Sequence, residues 1–186
     1  VQSGMGRTGR LFAHQWVDGA EPDIMALAKA LGGGFPVGAC LATEEAASGM
    51  AFGSHGSTFG GNPLAMAVAL AAFDEIAQPE LMEHVAAMSA RLREGLEGVR
   101  DRHPGVAQNI RGKGLLVGVK LATPNKDFIV AAREHRLLLA GGGDNCVRLL
   151  PALTISAEEV DEVIRRFEAT CHSIERANAN AALAAV

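Results

Sequence analysis

The chain has 186 residues, 48% hydrophobic and 20% charged, enough apolar material for a sizeable core in one large domain or two small ones. A net charge of -4 with interspersed signs gives no basic footprint for nucleic acid, and no apolar run spans a bilayer, so neither partner is expected and a cytoplasmic location is. Cys40, Cys146 and Cys171 are too few and too scattered for a disulfide framework or a metal knuckle and read as small buried hydrophobes; no two of the six histidines share a helical ligand spacing, so no metal is expected.

The chain opens at Val1, and a glycine-rich turn starts within four residues, so a preceding structural element is expected. Gly4, Gly6 and Gly9 spell G-x-G-x-x-G, with Asp23 at a tolerable distance for a ribose-binding acid. Too little chain precedes Gly4 to supply the strand such a motif follows, which favours a flexible turn over a dinucleotide site. Residues 23–31 place Ile24, Leu27, Ala28 and Leu31 on one helical stripe, and Met25, Ala26 and Ala30 make most of the remaining surface apolar. That predicts a buried helix, ended by Gly32, Gly33 and Gly34. Residues 35–43 (FPVGACLAT) read as a short interior strand, completing a strand, helix, strand pattern of an α/β layer.

Asn62 followed by Pro63 marks the start of an alanine-rich helix reaching about Ala77, and Pro79 starts another. In the second, Leu81, Val85, Met88, Leu92, Leu96 and Val99 recur at threes and fours, and His103, Pro104 and Gly105 close it. The last third reads as a strand at 115–121, a short helix opened by Pro124, and strands at 137–140 and 146–150. Ser156 and Glu159 form a capping box for a final helix carrying Val160, Val163, Ile164, Phe167 and Ile174. The alanine- and asparagine-rich tail after Arg176 is expected to fray. These elements divide the chain into 1–78, a small α+β unit at 79–175, and a tail at 176–186.

Three features carry chemistry. Among the four lysines, Lys29 stands alone on its predicted apolar helix, where burial disfavours the ammonium and makes the amine available to condense with an aldehyde. The bland alternative is a lysine on the one wet edge of that helix. The run from His55 to Pro63 sets Ser57, Thr58 and flexible backbone before a helix N-terminus, a place suited to a phosphate or simply an ordinary cap. Arg148 interrupts an apolar strand, and a buried guanidinium demands an anion, either a structural carboxylate or a substrate acid.

Taken together, VQSGMGRTG, PDIMALAKALGGGFPVGACLAT, HGSTFGGNPLAMAV, RGKGLLVGVKL and GGGDNCVRLLPAL, in this order, resemble the class III aminotransferases and, among them, the acetylornithine branch. The resemblance runs to about Glu175. It implies a pyridoxal-phosphate transferase of fold type I, here a partial large domain followed by a small α+β C-terminal domain, acting as a homodimer with shared active sites. It further implies that Lys29 carries pyridoxal 5'-phosphate covalently and shuttles a substrate proton, that Val1 packs on the pyridine ring and that Gln2 bonds its phenolic oxygen. Thr58 would reach the phosphate of the partner's cofactor, Ser57 would lie next to substrate, and Arg148 would bind a substrate carboxylate. The implied reaction moves an amino group from N-acetylornithine to 2-oxoglutarate in arginine biosynthesis, with succinyldiaminopimelate as a second donor; an ω-aminotransferase acting on ornithine or 4-aminobutyrate is the rival. The family's opening motif reads Asp-Glu-Val-Gln, and only Val1 and Gln2 match it here; the aspartate that keeps the ring nitrogen protonated is not in the chain, nor is the family's glycine-rich phosphate loop. By itself the chain is therefore expected to be inactive, a fragment with only interface and small-domain surfaces. Ala152 stands where the family usually has a second proline.

Overall fold

In the computed structural model, which describes residues 1–184, the chain divides into two units, Val1–Glu83 and His84–Val186. In the first, the segment expected to be a buried helix is a strand and a turn. β1 (Ile24–Leu27) pairs antiparallel with β2 (Ala39–Ala42), Ile24 opposite Ala42 and Leu27 opposite Ala39. Between them Ala28 is extended at φ -165°, and Lys29–Gly32 forms one 3-10 turn closed by Gly33 at φ 57°. A short apolar run fits helical and extended patterns alike; the strand pairing decides it here. β2 is not interior either, since all four of its residues are exposed, Cys40 among them, which corrects the reading of that cysteine as buried.

The GMGRTG segment is a turn bonded to itself, Gly9 N–H to the Gly6 carbonyl at 2.9 Å and Gly6 N–H to that of Leu11 at 3.1 Å. No helix follows it, only a 3-10 turn at Ala13–Trp16, which excludes a dinucleotide crossover. Further on, Thr43 caps the short α1 (Glu44–Ala47). Asn62 caps α2 (Pro63–Ile76) as expected, its Oδ1 accepting the Ala65 N–H at 2.9 Å. The core of this unit is small: Met5, Leu27 and Leu31, with Phe12, Val37, Ala69 and Phe73 packed against them.

The second unit is built on most of α3 (Pro79–Arg102), whose stripe buries Val85, Leu92, Leu96 and Val99. A four-stranded antiparallel sheet has the order β3-β4-β6-β5, with β3 at Ala107–Lys113, β4 at Leu116–Leu121, β5 at Ala140–Gly141 and β6 at Cys146–Leu149. β4 alternates cleanly, Val117, Val119 and Leu121 facing the core. β3 escapes sequence reading because Gln108, Asn109, Arg111 and Lys113 break any alternation, leaving only Ala107 and Ile110 buried. β5 is shorter than the strand expected at 137–140, and Leu138 is 85% exposed.

Pro124 precedes α4 (Asn125–Glu134), and the capping box that starts α5 (Ala157–Ala184) forms: Glu159 N–H to Ser156 Oγ at 3.2 Å, Ser156 N–H to Glu159 Oε2 at 2.9 Å. Phe167 on α5 packs on Phe128 of α4, ring centroids 4.9 Å apart. Cys146 and Cys171 are buried as expected, and burial, helped by Glu175 and Glu168, pushes the Cys171 thiol up to about 12. The tail expected to fray continues α5 to Ala184, because alanine is the strongest helix former; residues 185–186 of that tail lie outside the described residues.

The β3–β4 hairpin depends on Gly112, at φ 107°, where a Cβ would stand 1.9 Å from the Leu116 carbonyl oxygen. Left-handed strain and a clash with backbone add, so Gly112→Ala should lower unfolding free energy by more than about 2 kcal/mol. Gly105, with open space around it, is the control, and Gly105→Ala should stay within about 0.5 kcal/mol. Denaturant midpoints that do not separate these two variants would contradict the hairpin geometry.

Candidate active site

Lys29 is exposed, not buried, and the argument from an apolar helix does not apply to it: the helix is absent and the side chain leaves a turn. What replaces that argument is backbone geometry. Lys29 sits at φ 53°, a left-handed conformation that costs a non-glycine residue about 1–2 kcal/mol. It persists because Leu27 and Leu31 on either side are both only 8% exposed, fixed in the core with Met5. The glycines after it have separate jobs. A Cβ at Gly32 would come within 2.7 Å of Val37 Cγ1, and Gly34, at φ 116°, turns the chain toward β2.

Val1 and Gln2 are exposed at the start of the turn whose Met5 meets Leu27 and Leu31, so one core cluster ties their segment to that of Lys29. Ser57 and Thr58 stand exposed in a turn closed by Gly60 N–H to the Ser57 carbonyl and Asn62 N–H to that of Phe59, both 3.3 Å. At the N-terminus of α2 beyond them, Asn62 takes the Ala65 N–H and Pro63 has none to give, so the helix end offers few free donors beside the two hydroxyls.

Arg148 belongs to the second unit. It is half-buried on β6, opposite Ala140 of β5 and Gly118 of β4, instead of fully enclosed. Its Nε donates to the Gly141 carbonyl at 3.0 Å, which orients the guanidinium, and its stem lies along Gly142, where a Cβ would approach Arg148 Cγ to 3.3 Å.

A family model described as Aminotransferase class-III matches residues 1–171. The chain belongs to the class-III aminotransferases. It is 58% identical to acetylornithine aminotransferase 2 of Caulobacter vibrioides over 98% of its own length and 44% of that relative's. Among solved structures it superposes on N-acetylornithine aminotransferase from Stenotrophomonas maltophilia with a TM-score of 0.83 at 38% identity, covering 95% of this chain and 46% of that one. The ornithine aminotransferase of Toxoplasma gondii gives a TM-score of 0.86 at 31% identity, with 95% and 42% covered. The chain thus spans less than half the length of the relatives it matches.

Class-III aminotransferases use pyridoxal phosphate, and the residues present fit that group. Lys29 offers an exposed primary amine on a rigid turn, and Ser57 and Thr58 offer exposed hydroxyls. Sequence reading missed how this family member steadies its arginine strand. Asp144 and Asn145 are consecutive left-handed residues, both at φ 52°. Asn145 Nδ2 donates to the carbonyls of Leu121 at 2.7 Å and Thr123 at 2.9 Å, and its Oδ1 accepts the Asn125 N–H at 2.8 Å. Asp144 bonds Lys120 and Arg111, which hold its carboxyl below the usual range. The Gly-Gly-Gly-Asp-Asn string was the available signal, since Asp and Asn are the non-glycine residues that best accept positive φ.

Asn145→Ala removes three hydrogen bonds and keeps the left-handed penalty, so it should cost about 2–4 kcal/mol of stability. Asn145→Gly loses the same bonds but none of the backbone tolerance, and should be about 1 kcal/mol less damaging. Equal losses in urea unfolding would show that the backbone conformation at 145 contributes nothing.

Proposed function

We propose that the chain is the C-terminal portion of an acetylornithine aminotransferase, and that the complete protein transfers the amino group of N-acetylornithine to 2-oxoglutarate, with succinyldiaminopimelate as a second donor. The observation that carries the reading is Lys29: an exposed amine at a left-handed position between two core-anchored leucines. Identity of 58% to a curated acetylornithine enzyme, and among solved structures of 38% to an acetylornithine against 31% to an ornithine enzyme, supports the donor over its rival; the fold does not separate them, with TM-scores of 0.83 and 0.86 for the two kinds.

In this reading residues 1–78 are the end of the large domain and 79–175 the small domain. Bound pyridoxal phosphate supplies the electron sink for labilising a C–H bond. Lys29 Nζ would hold it and would take and return the proton of the carbon that bears the amine, a task suited to an amine projecting from a fixed turn. Val1 and Gln2 would help hold the ring, Val1 against it and the Gln2 amide as a hydrogen-bond donor. Thr58 would donate its hydroxyl to the phosphate held by a second copy, and Ser57 would serve the substrate. Arg148 binds a carboxylate in a two-pronged pair, the same residue serving amino donor and acceptor.

A homodimer accounts for the first unit's exposed apolar side chains. Phe59 is 80% exposed, Leu64 62% and Leu70 63%, while only Met5, Leu27, Leu31 and Ala65 are among its buried apolar residues. Cytoplasmic location fits a biosynthetic role, and no helix among the described residues is long and apolar enough to cross a membrane.

Borohydride reduction of the complete protein with its cofactor, followed by peptide mapping, should label Lys29, and Lys29→Ala should abolish both the label and transamination. Label on another lysine would refute the assignment. Arg148→Lys keeps the charge and loses the fork, so kcat/KM should fall by roughly 10- to 100-fold for both substrates, at about 1.4 kcal/mol per decade. A purely structural Arg148 predicts the reverse pattern: a lower Tm with near-normal kinetics in the folded protein.

A further inference from the structure

We propose that His103, Glu168 and His172 form a binding site for a divalent transition-metal ion of the zinc class, in the second unit and independent of the transamination reading. His103 follows the last turn of α3, and its side chain is 95% buried, at 5% exposure. Its Nδ1 lies 3.0 Å from both oxygens of Glu175. A carboxylate only accepts, so Nδ1 carries a proton, and in the neutral ring Nε2 then presents a bare lone pair. Nε2 is the one buried side-chain polar atom among the described residues without a hydrogen-bond partner. The nearest facing group is Glu168 Oε1 at 3.6 Å, another acceptor. In that tautomer two acceptors face each other, Nε2 buried and the Glu168 side chain 27% exposed, and a cation between them satisfies both.

A third ligand stands at the same place. His172 lies one helical turn beyond Glu168 on α5 and meets the His103 ring edge to face, centroids 4.4 Å apart at 86°. One ligand atom from each of His103, Glu168 and His172 falls within 4.8 Å of the others. Around an ion bound at about 2.0–2.2 Å, ligand atoms sit about 3.4 Å apart. The His103–Glu168 pair, at 3.6 Å, is already near that spacing, and His172, 61% exposed, is the ring that closes by about an ångström. Its exposed side leaves a fourth position for water.

The surroundings match a metal site beyond its ligands. Glu175 bonded to His103 Nδ1 is the carboxylate–histidine arrangement that fixes a metal-binding imidazole and raises its basicity. Arg102 also bonds Glu168 Oε1, at 2.5 Å, and opposes a cation; Glu168 and Glu175 together outweigh that single charge, and a carboxylate keeps lone pairs beyond those Arg102 uses. Two imidazoles and one carboxylate select zinc or cobalt over magnesium or calcium, which prefer all-oxygen shells. Inspection of the sequence for paired histidines could not find this site, because its two rings come from elements 69 positions apart, at 103 and 172.

The test is calorimetric titration of the metal-depleted complete protein with Zn2+, and of a parallel sample with Co2+ followed by visible absorption. Expected are one equivalent of zinc bound and the d–d bands of four-coordinate cobalt. His172→Ala, at an exposed position, should weaken binding at least 10-fold without unfolding the protein, and Glu175→Gln by about 10- to 100-fold. Transamination should be unchanged in both. Absence of stoichiometric binding overturns the proposal, as does binding that survives both His172→Ala and His103→Gln. A 15N spectrum showing both His103 nitrogens protonated at neutral pH, and unmoved by zinc, overturns it as well: His103 would then be an imidazolium held between two glutamates.

Discussion

Leu27 and Leu31 packed against Met5 determine where Lys29 stands. Full burial of a leucine or methionine is worth about 1.5–3 kcal/mol, and left-handed backbone at a lysine costs about 1–2, so the three apolar side chains outweigh the strain between them. The sign of that balance matters more than its size. With either leucine exposed, Lys29 would relax toward ordinary backbone and its amine would leave in another direction. The glycines that follow allow the chain to reverse within one turn, so β2 can return alongside β1 without displacing the lysine.

The second unit solves a comparable problem by other means. In the proposed function Arg148 is aimed from β6, flanked by the short edge strand β5, Ala140–Gly141. Aim comes from the loop between β5 and β6: Gly142 admits the arginine stem, the Gly141 carbonyl takes Nε, and Asn145 fastens the loop to the end of β4 and the start of α4. Side-chain bonds to backbone do here what extra strand length does elsewhere.

What was legible in the sequence follows from these differences. Long periodic helices with explicit start signals, such as α2 after Asn62, α3 from Pro79 and α5 after Ser156, show themselves because many positions agree on one period. Residues 24–31 do not, because eight mostly apolar positions satisfy either period and a non-local strand pairing decides between them. β3 lacks the alternation that would reveal it, and its pairing with β4 depends on a turn at Gly112 that only the folded chain makes necessary. The family's motifs pointed to Lys29, Ser57, Thr58 and Arg148 by position. The apolar-helix reading gave the wrong physical reason for Lys29, since the apolar residues around it anchor the backbone without burying the amine.

Burial within each unit is uneven in a way that bears on function. The second unit holds most of the chain's buried apolar side chains, including Phe128, Phe167, Leu92, Leu96 and Val147, all at 1% exposure or less. The first keeps a core of three residues while Phe52, Phe59 and Leu64 face solvent. At about 25 cal/mol per Å² of apolar surface, side chains of this size left in water forgo a few kcal/mol together. A surface of this kind is expected where further chain covers it. The turn holding Ser57 and Thr58 lies beside the exposed Phe59, so whatever covers that phenylalanine also comes within reach of the two hydroxyls. In the proposed dimer, association and completion of the active site are consequently one event, driven by the same apolar side chains.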